Sequence, residues 1–164
     1  MNKDVINYQH DGVINRFKRE YPELQENAEI IFQDLMRFFW ASKKLQLMQK
    51  ADPSNQELDF LYIMDEEMKP LDQMWHIFLL YTKDYMDFCQ KYFGEYLHHL
   101  PDIVAKLKGE YVYSLDENMH DVTMDQEKYR PENFALNLER FLNFTFDHLG
   151  EDVVRRWYAP YVNA

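Results

Sequence analysis

The chain has 164 residues, of which 46% are hydrophobic and 16% aromatic, and carries a net charge of -11. That apolar content excludes intrinsic disorder, and the negative field disfavours nucleic acid and anionic membrane surfaces as partners. A single cysteine excludes an internal disulfide and fits a reducing compartment.

The opening run, MNKDVINYQHDG, lacks the apolar stretch of a secretion signal, and no apolar run reaches bilayer length, so a soluble cytoplasmic protein is expected. Asp4 to Tyr21 reads as a helix with Val13, Ile14, Phe17 and Tyr21 on one face and Gly12 as a dividing point. Pro22 opens the strongest helix, expected to run to about Gln49, with Glu23 and Glu26 suiting its N-terminal dipole. Leu24, Ala28, Ile31, Leu35, Phe38, Ser42 and Leu45 alternate steps of four and three and form one apolar stripe. The stripe is short for a coiled-coil seam and predicts core packing. Lys43, Lys44 and Lys50 suit its C-terminal end, and Asp52-Pro53 stops it. Ala51 to Asn55 reads as a linker, and Glu57 to Met68 as a short helix or an extended segment before Pro70.

Leu71 to Pro101 predicts two helical pieces broken between Leu80 and Asp84, with Thr82 as the cap of the second and Gly94 ending it. Pro101 to Lys108 predicts a short helix closed by Gly109, and Tyr111-Val112-Tyr113 a possible short strand before a polar loop. Pro131 starts the last strong helix, with Phe134, Leu138, Phe141, Leu142 and Thr145 inward and Gly150 at its end. Val153, Val154, Trp157, Tyr158 and Tyr161 then pack back on the body. The expectation is an all-α fold, one compact domain over 1–164 with about five to seven helices.

The run Asp72, Trp75-His76, Thr82, Tyr85, Phe88-Cys89, Phe93-Gly94, Leu97-His98-His99 and Pro101 resembles the signature of the glycine-rich domain-containing protein-like family. That signature reads D-x-x-W-H-x-H, then T-x-x-Y-x-x-F-C, then F-G-x-x-L-H-H-x-P. The resemblance covers residues 72–101 and implies a helical domain without an established activity. Phe78 stands where the signature has its second histidine, so a site built on that position would lack one ligand here.

The chemistry-bearing set is His76, Cys89 and one or both of His98 and His99, residue types that suit Zn²⁺. Asp72, four residues before His76, is placed to orient its imidazole from behind. In one straight helix His76 and Cys89 would stand roughly 20 Å apart, so the site requires the break near Tyr81. Adjacent His98 and His99 would point about 100° apart on a helix, so one of them serves.

The competing reading makes Trp75, His76 and Cys89 core residues, with Cys89 acting as a small hydrophobe. A catalytic pair of Cys89 with His76 or His98 would need a lowered thiol pKa, and Phe88 and Phe93 argue instead for burial. No G-x-S-x-G, P-loop, G-x-G-x-x-G or H-E-x-x-H motif occurs. Asp116, Asn118, His120 and Glu127 have the spacing of a Ca²⁺ loop, but Asp121 stands where the turn needs glycine, so no Ca²⁺ is expected. The leading expectation is a non-enzymatic, cytoplasmic protein-binding module without cofactor or catalytic residues, its partner a protein of basic surface. The alternative is a metal-binding protein or metal-dependent enzyme built on His76, Cys89 and His98, with Zn²⁺ as the cofactor.

Overall fold

Helix α2, Ala28–Ala51, is the element against which the others pack. The computed structural model describes residues 3–99, 133–159 and 161. Ala28, Ile31, Leu35, Phe38 and Leu45 of the expected stripe are buried, but so are Phe32, Met36, Phe39, Trp40 and Ala41 on its other sides. A helix apolar all round is one enclosed by neighbours, which a single stripe understates. Its start also differs from the expectation. Pro22–Asn27 forms a 3₁₀ turn, in which the Tyr21 carbonyl accepts from the Leu24 amide, and the α-helix begins only at Ala28.

A 3₁₀ turn at Lys3–Asn7 precedes α1, Asp11–Glu20. The expected division therefore falls before Asp11, and Gly12 lies inside the helix. Glycine is needed there for close approach, because a Cβ would stand 3.1 Å from the His10 ring and 3.2 Å from the Tyr81 ring. His10 caps α1 by accepting the Val13 N–H at Nδ1 (3.1 Å), which leaves Nε2 to donate to Asp84 (3.0 Å). Tyr81 donates to the Gly12 carbonyl at 2.9 Å. The start of α1 is thus bound to the turn between the next two helices.

Those helices are α3, Lys69–Leu80, and α4, Thr82–Phe93, separated at Tyr81 where the break was expected. The capping position is Tyr81 rather than Thr82, and no side chain caps α4. Gly94, at φ 70, ends α4 in the left-handed conformation that glycine adopts without strain. Before α3, residues 56–68 hold two 3₁₀ turns, Gln56–Leu58 and Glu66–Met68, with a non-helical stretch between. Side chains satisfy that stretch. Gln49 donates to the Leu58 and Phe60 carbonyls, and Asn137 pairs with both the N–H and the carbonyl of Leu61.

Helix α5, Phe134–Leu149, and α6, Glu151–Tyr158, meet at Gly150. Thr145 donates to the Phe141 carbonyl, so its oxygen accepts from the buried Tyr62 hydroxyl at 2.7 Å. Val153, Trp157 and Tyr161 are buried, so the last segment packs back as expected. It is held to α2 through Asp34, which is fully buried and takes both Arg156 Nε (2.8 Å) and Nη2 (2.9 Å), Arg37 Nη1 (2.6 Å) and the Tyr161 hydroxyl (3.0 Å). Burial, then the Asp34 charge, pushes the Tyr161 hydroxyl far up, so it remains a donor.

The fold is all-α: six α-helices and no strand among the described residues, packed on one hydrophobic core. No described helix is long and apolar enough to cross a membrane. The short helix expected at Pro101–Lys108, the strand at Tyr111–Tyr113, the acidic loop Asp116–Glu127 and the Pro131 start lie outside the described residues.

Candidate metal centre

Helix α3 carries Asp72 and His76 one turn apart on one face. The chain then runs through α4, reverses at Gly94 and brings His99 onto that face. Asp72 Oδ1 lies 2.7 Å from His99 Nε2, and its Oδ2 lies 3.7 Å from His76 Nε2. The two imidazole centroids are 4.5 Å apart. One ligand atom from each of the three residues lies within 4.8 Å of the other two. Ligands of a tetrahedral Zn²⁺ at 2.0–2.1 Å stand about 3.3 Å from one another, so shifts of about 1 Å complete the geometry.

The cluster has an open and a closed side. The His76 side chain is 53% exposed and that of His99 only 11%. Trp75 closes the inner side, its ring meeting that of His99 edge-on at 4.5 Å. Burial raises the Asp72 carboxyl, but the His99 hydrogen bond and the charges of His76 and His99 outweigh it and hold the group below the usual carboxylate range. Beneath the cluster, Trp75 Nε1 donates to the Tyr85 hydroxyl (2.9 Å), which donates to the Leu97 carbonyl (2.7 Å).

Among the expected ligands, the structure brings His76 and His99 together and gives Asp72 a direct place between them. Cys89 and His98 are not in that group. Cys89 shares its α4 face with Tyr85 and is 1% exposed in the core. Burial pushes its thiol up against the opposing effects of the Leu97 backbone N–H and the Tyr85 hydroxyl, and no imidazole acts on it, so the thiolate chemistry of a nucleophile is not favoured. His98 is exposed, with its ring against Tyr96 at 4.9 Å. The helical angle used for the two histidines does not apply, because residues 96–99 are non-helical.

Phe78 also requires a correction. It is fully buried, with the rings of Tyr85 (5.0 Å) and Phe88 (5.2 Å) around it. Two residues past His76, it faces away from the cluster, so a histidine at 78 would enter the core and not this group. The cluster is not short of a ligand on that account. The shared Asp72, which turned out to be central, was signalled in the sequence by its i, i+4 spacing to His76.

Among the described residues, five helices around an enclosed α2, with a carboxylate and two imidazoles converging at one face, define an all-α protein with a candidate metal centre. The chain belongs to the UCP032817-like family, whose profile matches residues 3–133, so all three clustered residues fall inside the match. This family is uncharacterised, and the match replaces the expected kinship with the glycine-rich domain-containing protein-like family, which rested on residues 72–101 alone. No curated protein and no solved structure matches the chain.

Proposed function

We propose that this protein binds a divalent transition metal, Zn²⁺ foremost, through Asp72, His76 Nε2 and His99 Nε2. The observation that carries the proposal is the convergence of three ligand atoms from two separated segments within 4.8 Å. Two neutral imidazoles and one carboxylate are a zinc ligand set, and three ligands leave the fourth position of a tetrahedral shell for water or another donor. His99 Nε2 donates its proton to Asp72 in this structure, so ligation would displace that proton, to solvent or by tautomer exchange to Nδ1, and would replace the hydrogen bond by a metal bond from each residue. Reducing cytoplasm is the setting proposed for it, supported by the single, buried, unpaired Cys89.

The protein-binding role is the second reading. It is supported by Leu80 and Met86, each 59% exposed, which flank the Tyr81 break.

Calorimetric titration of metal-stripped protein with zinc tests the first reading. One saturable site is expected, and His76→Ala and His99→Ala should each abolish it. Equal heats from wild type and both variants would place any bound zinc elsewhere and remove the proposal.

A further inference from the structure

We infer that Tyr85 is the positioning residue of this centre: by fixing the Leu97 carbonyl, its hydroxyl sets where His99 stands relative to Asp72 and His76. The inference rests on the metal-binding reading and adds to it the part of the core that presets the site.

His99 belongs to a segment with no helix to hold it. Its place is therefore set by side chains. Glu95 is paired with Lys43, Leu97 with Tyr85, and His99 with Asp72. Among these, the Tyr85 contact is the one made by a fully buried side chain, and it joins α4 to the segment carrying the ligand. Tyr85 is 0% exposed. Its hydroxyl donates to the Leu97 carbonyl and accepts the Trp75 indole N–H.

The same Trp75 packs edge-on against the His99 ring. Trp75, Tyr85, Leu97 and His99 thus close a ring of contacts, two of them hydrogen bonds, that leaves His99 little freedom. Cys89, one turn beyond Tyr85 on α4, is buried in the core. Groups that orient a ligand without touching the ion change metal affinity by about 10–100-fold when removed.

The test compares Tyr85→Phe with Tyr62→Phe. Tyr62 is a second buried tyrosine, its hydroxyl bonded to Thr145 on α5, outside the metal cluster. Both variants lose a buried hydrogen bond, so both should melt earlier. Only Tyr85→Phe should lose zinc affinity, by about 10–100-fold. In the Co²⁺-loaded protein, its proton spectrum should show the paramagnetically shifted His99 imidazole signal displaced and that of His76 unchanged.

Zinc affinity in Tyr85→Phe equal to wild type, or an equal loss in Tyr62→Phe, would overturn the inference and leave the metal reading intact. A wild type that takes up no zinc would remove the metal reading, and the inference with it. Should Tyr85→Phe fail to fold, the wild-type Leu97 amide resonance decides. It should move in step with zinc saturation, and a static Leu97 amide overturns the proposal.

Discussion

Asp34 and Asp72 are both carboxylates bridging separated segments, and they differ in what they bridge to. Asp34 is fully buried, and its oxygens are taken by two guanidinium groups and a tyrosine hydroxyl. Guanidinium has five N–H donors and no lone pair to offer, so Arg37 and Arg156 cannot ligate an ion and instead occupy the Asp34 oxygens. Asp72 is partly exposed and faces two imidazoles, each with a ring nitrogen able to serve as donor or ligand. One residue type therefore makes a staple in the first place and a candidate metal centre in the second. The partners decide which, more than the carboxylate does.

The largest expected effect breaks the staple. Asp34→Ala leaves Arg156 and Arg37 without their common partner and should cost about 3–5 kcal/mol in denaturant unfolding. Its zinc titration, measured on the folded fraction, should match wild type, because the two clusters share no residue. Next in size is the gain from the metal itself. Free zinc at a hundred times its Kd should stabilise wild type by about 2.7 kcal/mol in thermal unfolding, reversibly on adding chelator. Asp72→Asn should show no such gain.

Phe78→His sharpens the boundary of the site. Burying an imidazole among Tyr85 and Phe88 without a partner should cost about 1–3 kcal/mol. Zinc affinity should not rise, and tighter binding in this variant would show that position 78 reaches the cluster after all.

The smallest effect concerns Glu95, which anchors the His99 segment from the outside. The hydrogen bond from Lys43 holds its carboxyl below the usual range, against burial, with the Lys43 charge adding to it. A depressed folded-state pKa contributes stability above the unfolded carboxylate value, and that contribution is lost as pH falls through the folded one. Glu95→Gln should therefore lower stability by under about 1 kcal/mol at neutral pH. Midpoints of the two proteins should converge below about pH 4.

Local chemistry made much of this legible in the sequence. Gly94, Gly150 and the break at Tyr81 end helices for backbone reasons that any reader of the chain can apply, and Phe141 and Thr145 on α5 and Val153 and Trp157 on α6 are buried as their spacing predicts, although Phe144, which the spacing left out, is buried too. Pro22 misled, because proline suits the first position of a 3₁₀ turn as well as that of an α-helix. The stripe on α2 misled in width, since Phe32, Phe39 and Trp40 find partners from distant elements that periodicity does not contain. A charge amid that apolar run was a usable sign for Asp34, but its partners Arg156 and Tyr161 lie 122 and 127 residues away.

The candidate site divides in the same manner. Asp72 with His76 is a helical pair and could be read locally. His99 required knowing that the chain after Gly94 is non-helical, and Cys89 required knowing which face of α4 meets the core.

X-ray absorption at the zinc edge of wild-type protein loaded with one equivalent of zinc tests the central claim most directly. Scattering from two imidazole nitrogens at 2.0–2.1 Å and from oxygen, with no sulfur shell, is the predicted result. A sulfur shell near 2.3 Å, or zinc removed by simple dialysis before any spectrum can be taken, would contradict a centre made by Asp72, His76 and His99.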